Sequence, residues 1–273
     1  MRRLIEFASK GNRLVGTLDV PDGGKPRVGV LIVSGGNEIR IGAHRGMAAL
    51  AHYLAANGVA AFRFDRSGIG DASGENAGFL GSKHDIFNAS LVFGNETETE
   101  TILGFGNCDA ASALALFHAE AGIDALLLSN PWTGGTEDTL PAAAAIKARY
   151  AERLRDPREW LRLAKGGVNI AKVFGGLAKI AKSRSEDRYL VDRMAAALAN
   201  SNIPATILLA ERDNTAIAFR DAWAKCRGAP TLPIRTIASD SHSYASAADK
   251  DWLFEQVLAA AKSMDGGPGE AKD

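Results

Sequence analysis

The chain has 273 residues, 46% of them hydrophobic and 23% charged, with 32 acidic and 32 basic side chains. That composition supports a full core, as one large domain or one domain with an insertion, and a net charge of zero excludes a general pull toward nucleic acid. No stretch approaches the roughly 18–20 apolar residues that cross a bilayer, Met1–Glu6 leads into no signal-peptide pattern, and Cys108 and Cys226 lack metal-ligand spacing, so a cytoplasmic chain without metal or other cofactor is expected.

Apolar runs bounded by Gly, Pro and Asp alternate with longer helix-like stretches. This predicts an α/β protein with a mostly parallel central sheet and helices on both faces. Residues 4–9 and 14–20 alternate like an antiparallel hairpin around Gly11-Asn12. Residues 28–33 read as a buried strand ending in Ser34-Gly35-Gly36, residues 47–57 as a helix closed by Gly58, and residues 59–64 as a strand ending at Asp65. The segment 81–99 is polar where a full helix belongs, so a truncated or irregular helix is expected there. Strands follow at 100–106 and 123–130, the second stopped by Pro131, then at 205–210 and 234–238, with a last helix at 245–262. The tail, 263–273, contains Gly266-Gly267-Pro268-Gly269 and is expected to be disordered.

Residues 132–200 break this rhythm. They hold no good strand and read as helices at 140–154, 160–165, 168–181 and 189–199. That is the pattern of a helical lid inserted into a core made of residues 1–131 and 201–262. Between Lys147 and Arg184 there are eleven basic and three acidic residues. Solvated helix faces are the plainest account of such a stretch. Attraction of an anionic substrate and peripheral contact with a membrane surface are the functional ones.

Cys108 stands in Gly106-Asn107-Cys108-Asp109-Ala110, directly after the apolar run 101–105 and before the Ala-rich stretch 110–116. Strand, sharp turn, reactive side chain and helix is the layout of a nucleophile elbow, with cysteine in place of the commoner serine. Such a site needs a base, and the base needs an orienting carboxylate. Of the five histidines, His52, His84 and His118 lie in or beside helical stretches, whereas His242 lies just past the last strand. Functional groups of open parallel sheets sit at the carboxyl ends of strands, so His242 is the expected base. Asp213, just past the strand 205–210, is the expected acid, with Asp240 and Glu211 as weaker rivals. The order nucleophile, acid, histidine is that of the α/β-hydrolases.

The oxyanion hole is expected to use the N–H of Asp109 and a second N–H from Gly36 or Asn37, in the loop after the strand 28–33. Arg40, His44 and Arg45 on that loop are candidates for binding a substrate carboxylate or phosphate, although holding the loop to the core is a plainer use for some of them. Asp65-Arg66-Ser67-Gly68-Ile69-Gly70-Asp71 reads as a turn that supports the oxyanion loop.

Four motifs carry a family resemblance: Gly35-Gly36-x-x-x-Arg40-x-Gly42-x-His44-Arg45, Arg63-Phe64-Asp65-x-x-Gly68-x-Gly70-Asp71, Gly106-x-Cys108-Asp109-x-Ala111-Ser112 and Asn130-Pro131-Trp132. Over about residues 28–255 the chain is similar to the exosortase A system-associated hydrolases of type 1, which accompany bacterial exosortase and exopolysaccharide loci and typically carry a cysteine elbow. Ala110 stands where that family usually has glycine. The resemblance implies an α/β-hydrolase fold with a hydrolase-type site, and it supplies no substrate. Two function classes follow. One is an acyl hydrolase or acyltransferase acting on an ester, thioester or lactone, including an acyl group on coenzyme A or a carrier protein. The other is a catalytically weak accessory protein that binds acyl groups on the same fold.

Overall fold

The structure, a computed structural model, describes residues 1–23, 25–134 and 189–265. Among the described residues eight strands form one sheet: β1 (Arg2–Ser9), β2 (Asn12–Asp19), β3 (Val28–Val33), β4 (Ala60–Phe64), β5 (Thr101–Asn107), β6 (Ala125–Ser129), β7 (Ala205–Ala210) and β8 (Ile234–Ile237). Their order is β1-β2-β4-β3-β5-β6-β7-β8. β2 pairs antiparallel with both β1 and β4, and all pairs from β4 to β8 are parallel. Ser9 pairs with Asn12, so the hairpin loop is Lys10-Gly11, one residue earlier than expected, with φ positive at both residues as in a type I′ turn.

The α-helices among the described residues are α1 (Gly46–Ala56), α2 (Gly78–Gly81), α3 (Lys83–Thr97), α4 (Asp109–Phe117), α5 (189–199), α6 (Asn214–Lys225) and α7 (Ala247–Asp265). Side chains alternate across a strand, and each face of the sheet therefore has its own cluster. Leu31, Val33, Phe62 and Phe64 pack with Phe93 of α3, Leu114 of α4, Met194 of α5 and Phe219 of α6. Val30, Ile32 and Phe105 face the other way, against Leu50 and Leu54 of α1 and Leu253 and Val257 of α7. β3 is buried over its whole length, as a central strand covered on both faces must be. The protein thus has the α/β architecture read from the sequence.

Two helices differ from expectation. The segment 81–99 is not truncated: α3 runs for 15 residues. Its buried face mixes Ile86, Ala89 and Phe93 with Asp85, Ser90 and Thr97, while Phe87 and Leu91 are exposed. The apolar stripe is thereby hidden from a pattern reading. Asp85 is tolerated inside because Ser9 Oγ, Ser67 N and Ser67 Oγ donate to its two oxygens at 2.6, 2.8 and 3.1 Å. α6 is not among the helices read from the sequence; only Ala216 and Phe219 of it are fully buried, which is too narrow a stripe to read.

Of the expected lid helices, those at 140–154, 160–165 and 168–181 lie outside the described residues, as does the expected tail from 266, whereas its residues 263–265 are helical and complete α7. The helix expected at 189–199 is α5, and its Leu190, Met194 and Leu198 join the core cluster. Among the described residues no helix is long and apolar enough to cross a membrane.

Candidate active site

The site lies at the carboxyl ends of β3, β5, β7 and β8. β5 ends at Asn107 and α4 begins at Asp109, which leaves Cys108 alone at the corner with φ 63° and ψ −129°. A side chain other than glycine rarely takes such a backbone, and holding it there costs on the order of 1–3 kcal/mol. The surroundings impose it. Cys108 N–H donates to Ser129 O at 3.0 Å, and Cys108 O accepts from Ala111 N at 3.1 Å and Trp132 N at 3.1 Å. Small neighbours are required. A Cβ on Gly106 would come within 2.8 Å of the Ala110 carbonyl carbon, and one on Gly35 within 2.5 Å of Asn107 O.

His242 sits in the loop between β8 and α7, and Asp213 in the loop between β7 and α6. Nδ1 of His242 lies 2.9 Å from Asp213 Oδ2. The same oxygen accepts the Ala216 N–H at 3.2 Å, so Asp213 is both the N-cap of α6 and the partner of the imidazole. Burial alone would push the imidazole down. Hydrogen bonds to Asp213 and to the Cys108 sulfur, with the negative charges of both, outweigh it, and the His242 pKa is pushed up to about 10. Since Nδ1 is committed to Asp213, the nitrogen that addresses Cys108 is Nε2. The rivals are placed elsewhere: Glu211 faces Arg220 at 3.9 Å, and Asp240 is exposed.

A buried polar network fastens these loops, and pattern reading had no access to it. Asn107 Nδ2 donates to His242 O at 3.1 Å, and Asn107 Oδ1 accepts from Ser129 Oγ at 2.9 Å and Asn130 Nδ2 at 3.1 Å. Tyr244, itself at a positive φ of 53°, places its hydroxyl 2.8 Å from Ser129 Oγ and 3.3 Å from Asn130 Nδ2. Burial pushes the Tyr244 phenol up to about 12 against those two hydrogen bonds. Asn130 Oδ1 accepts the Ala210 N–H at 2.9 Å. The residue before Cys108 thus holds the backbone of His242, and three strand ends are tied into one block.

The loop after β3 departs from expectation. Gly36 N–H donates to Asp109 Oδ1 at 2.7 Å and is taken up by a carboxylate in this arrangement, whereas Asn37 N–H and Asp109 N–H have no partner among the described residues. Arg40 is also committed. Its guanidinium pairs with Asp65 and, at 2.9 Å, with Asp71, its Nε donates to Thr17 Oγ1 at 3.1 Å, and its N–H donates to Asp65 Oδ1 at 2.6 Å. Arg40 Nε and Nη1 thus anchor the loop, the plainer of the two uses expected for it, and Nη2 has no partner among the described residues. His44 and Arg45 are exposed at successive left-handed positions, φ 51° and 60°, with no side-chain partner among the described residues.

No family model matches the chain, and no curated protein matches it. Solved structures do. An esterase of Pyrococcus furiosus superposes with a TM-score of 0.64 at 14% identity, covering 97% of this chain and 91% of its own. The α/β hydrolase GrgF of Penicillium gives 0.61 at 17%, covering 96% and 99%. An α/β serine hydrolase of Xanthomonas campestris, described as lacking a lid, gives 0.57 at 12%, covering 95% and 94%. The fold is that of the α/β hydrolases.

Proposed function

We propose that the protein hydrolyses or transfers acyl groups from esters, thioesters or lactones, with Cys108 as nucleophile, His242 as acid and base and Asp213 as its orienting carboxylate. The observation that carries this reading is the 2.9 Å bond from Asp213 to the far nitrogen of an imidazole coupled to the Cys108 sulfur. An esterase and a serine hydrolase on the same fold support ester chemistry in general; the cysteine is this chain's own feature.

In the reacting pair the proton of the Cys108 thiol rests on His242 Nε2, and the sulfur bonds to the carbonyl carbon while the π pair moves to oxygen. Asp109 N–H and a donor from the loop after β3 would hold that oxyanion. Collapse re-forms the carbonyl and breaks the bond to the leaving alkoxide or thiolate, which takes the proton from His242. Water then attacks the thioester with His242 as base, and Cys108 leaves and regains the proton. A sugar hydroxyl in place of water gives acyl transfer, which would suit the exopolysaccharide setting of the similar exosortase-associated hydrolases. Amides are poor substrates on this route, because a thiolate leaves more readily than an amine and the intermediate reverts.

The test is the intact mass of the protein after exposure to activated acyl esters and thioesters, with product release followed in parallel. An acyl adduct that forms and turns over is expected. A stable adduct without release would favour the accessory acyl-binding reading, and no adduct with any ester or thioester would sink both. The imidazolium must protonate the leaving group, so the rate should fall as pH rises through about 10. Asp213 helps to raise that pKa, so Asp213→Asn should move this basic limb to lower pH. A pH–rate profile with an unmoved limb would assign it to another group.

A further inference from the structure

The loop after β3 is gripped by two charged side chains that the reaction above does not use. Gly36 N–H donates to Asp109 Oδ1 at 2.7 Å, and Gly36 O accepts from the Arg66 guanidinium. Arg66 Nη2 also faces Asp109 Oδ2 at 3.9 Å. One residue of the loop is thus held on both sides, by an acid on the first turn of α4 and by a base just past β4.

Both charges are deeply placed. Arg66 is 3% exposed, and its Nε and Nη1 have no hydrogen-bond partner among the described residues. A guanidinium has five donors and is costly to bury with most of them idle. Stability alone is a poor reason to keep this one. What it holds is a turn: Glu38 N–H donates to Gly35 O at 3.0 Å, and within the turn Gly36 has a left-handed φ of 54°. With Gly36 N–H engaged, Asn37 N–H is the backbone donor at the centre of that turn with no partner among the described residues. The Asn37 side chain is tied off by Asn76 Nδ2 at 2.7 Å.

Resting on the reading of Cys108 as the acylated nucleophile, we propose that Arg66 and Asp109 are positioning residues: they fix Gly36 so that the N–H of Asn37, with that of Asp109, forms the oxyanion hole. The Asp109 side chain and its backbone then have separate duties, one aiming the loop and the other binding the oxyanion.

The test separates reactions that do and do not develop an oxyanion. Alkylation of Cys108 by iodoacetamide displaces iodide at a saturated carbon and needs no such hole. Acylation by a p-nitrophenyl ester does. In Asp109→Ala and Arg66→Ala the limiting alkylation rate at high pH should be little changed, while acylation falls on the order of 10²-fold, as when an oxyanion donor is lost. Asp109→Asn, which keeps an oxygen for Gly36 N–H, should fall less, and added guanidinium should restore part of the acylation by Arg66→Ala. Unchanged or faster acylation in Asp109→Ala would overturn the proposal, since the carboxylate would then be idle or competing for Gly36 N–H. Parallel loss of both reactions would overturn it too, by making the pair a support for the elbow itself. Failure of the underlying reading looks different: wild-type protein would alkylate yet accept no acyl group from any ester.

Discussion

Cys108→Ala is expected to lower ester turnover by about 10⁴–10⁶-fold, the range over which loss of a triad nucleophile costs most of the catalysis. The remaining backbone donors and bound geometry supply whatever residual rate survives. The substitution also has a signature that does not depend on substrate. The Cys108 sulfur contributes both a hydrogen bond and negative charge to the raising of His242. Removing it should therefore lower the imidazole pKa, toward the value set by burial and Asp213 alone. NMR titration of His242 in wild type and Cys108→Ala reads this directly. An imidazole that titrates at the same pH in both would mean that sulfur and ring do not address each other, and the proposed proton transfer between them would have to be abandoned.

The second large effect is on stability. Asp19 at the end of β2 and Arg63 on β4 are both 3% exposed, with Arg63 Nη2 3.6 Å from Asp19 Oδ2. Arg2 Nε closes on the other oxygen at 2.7 Å, and Arg63 Nη1 donates to Arg40 O at 3.3 Å. Burial pulls the Arg63 guanidinium below its usual range; Asp19 opposes this, while Arg2 and Arg40 add to it. Asp19 is thus the counter-charge that makes a buried Arg63 tolerable. Asp19→Ala should destabilise the fold by about 3–5 kcal/mol, the cost of leaving a buried charge unpaired. Replacing both residues, Asp19→Leu with Arg63→Met, should recover most of that loss, since an apolar pair of similar volume avoids the desolvation of two ions. Urea unfolding of the wild type and the two variants tests this. A loss no larger than the ~0.5 kcal/mol of an ordinary surface substitution would show that Arg63 finds water or another partner once Asp19 is gone.

Sequence alone was informative wherever a local pattern carries the physics. β3, β5 and β7 are continuous apolar runs because a central parallel strand is covered on both faces. The elbow was legible because strand, small residue, cysteine and Ala-rich helix are contiguous. Asp213 and His242 were legible for a related reason: groups just past strand ends gather on one edge of a parallel sheet, and the structure brings these two within 2.9 Å.

What the sequence could not supply depends on contacts between distant segments. α3 was hidden because Asp85, Ser90 and Thr97 face inward and Phe87 and Leu91 outward, an arrangement made affordable only by Ser9 and Ser67 arriving from β1 and the loop after β4. Sequence leaves Arg40 as either a substrate ligand or a loop anchor, and the anchoring contacts depend on Asp65 and Asp71 closing around it. The same holds for the bond from Asn107 to the carbonyl of His242, 135 residues away, and for the grip of Arg66 and Asp109 on Gly36. Periodicity and spacing record which face of an element is apolar. Which donor meets which acceptor is set only when the chain closes on itself, and in this protein that decides which N–H groups beside Cys108 remain free.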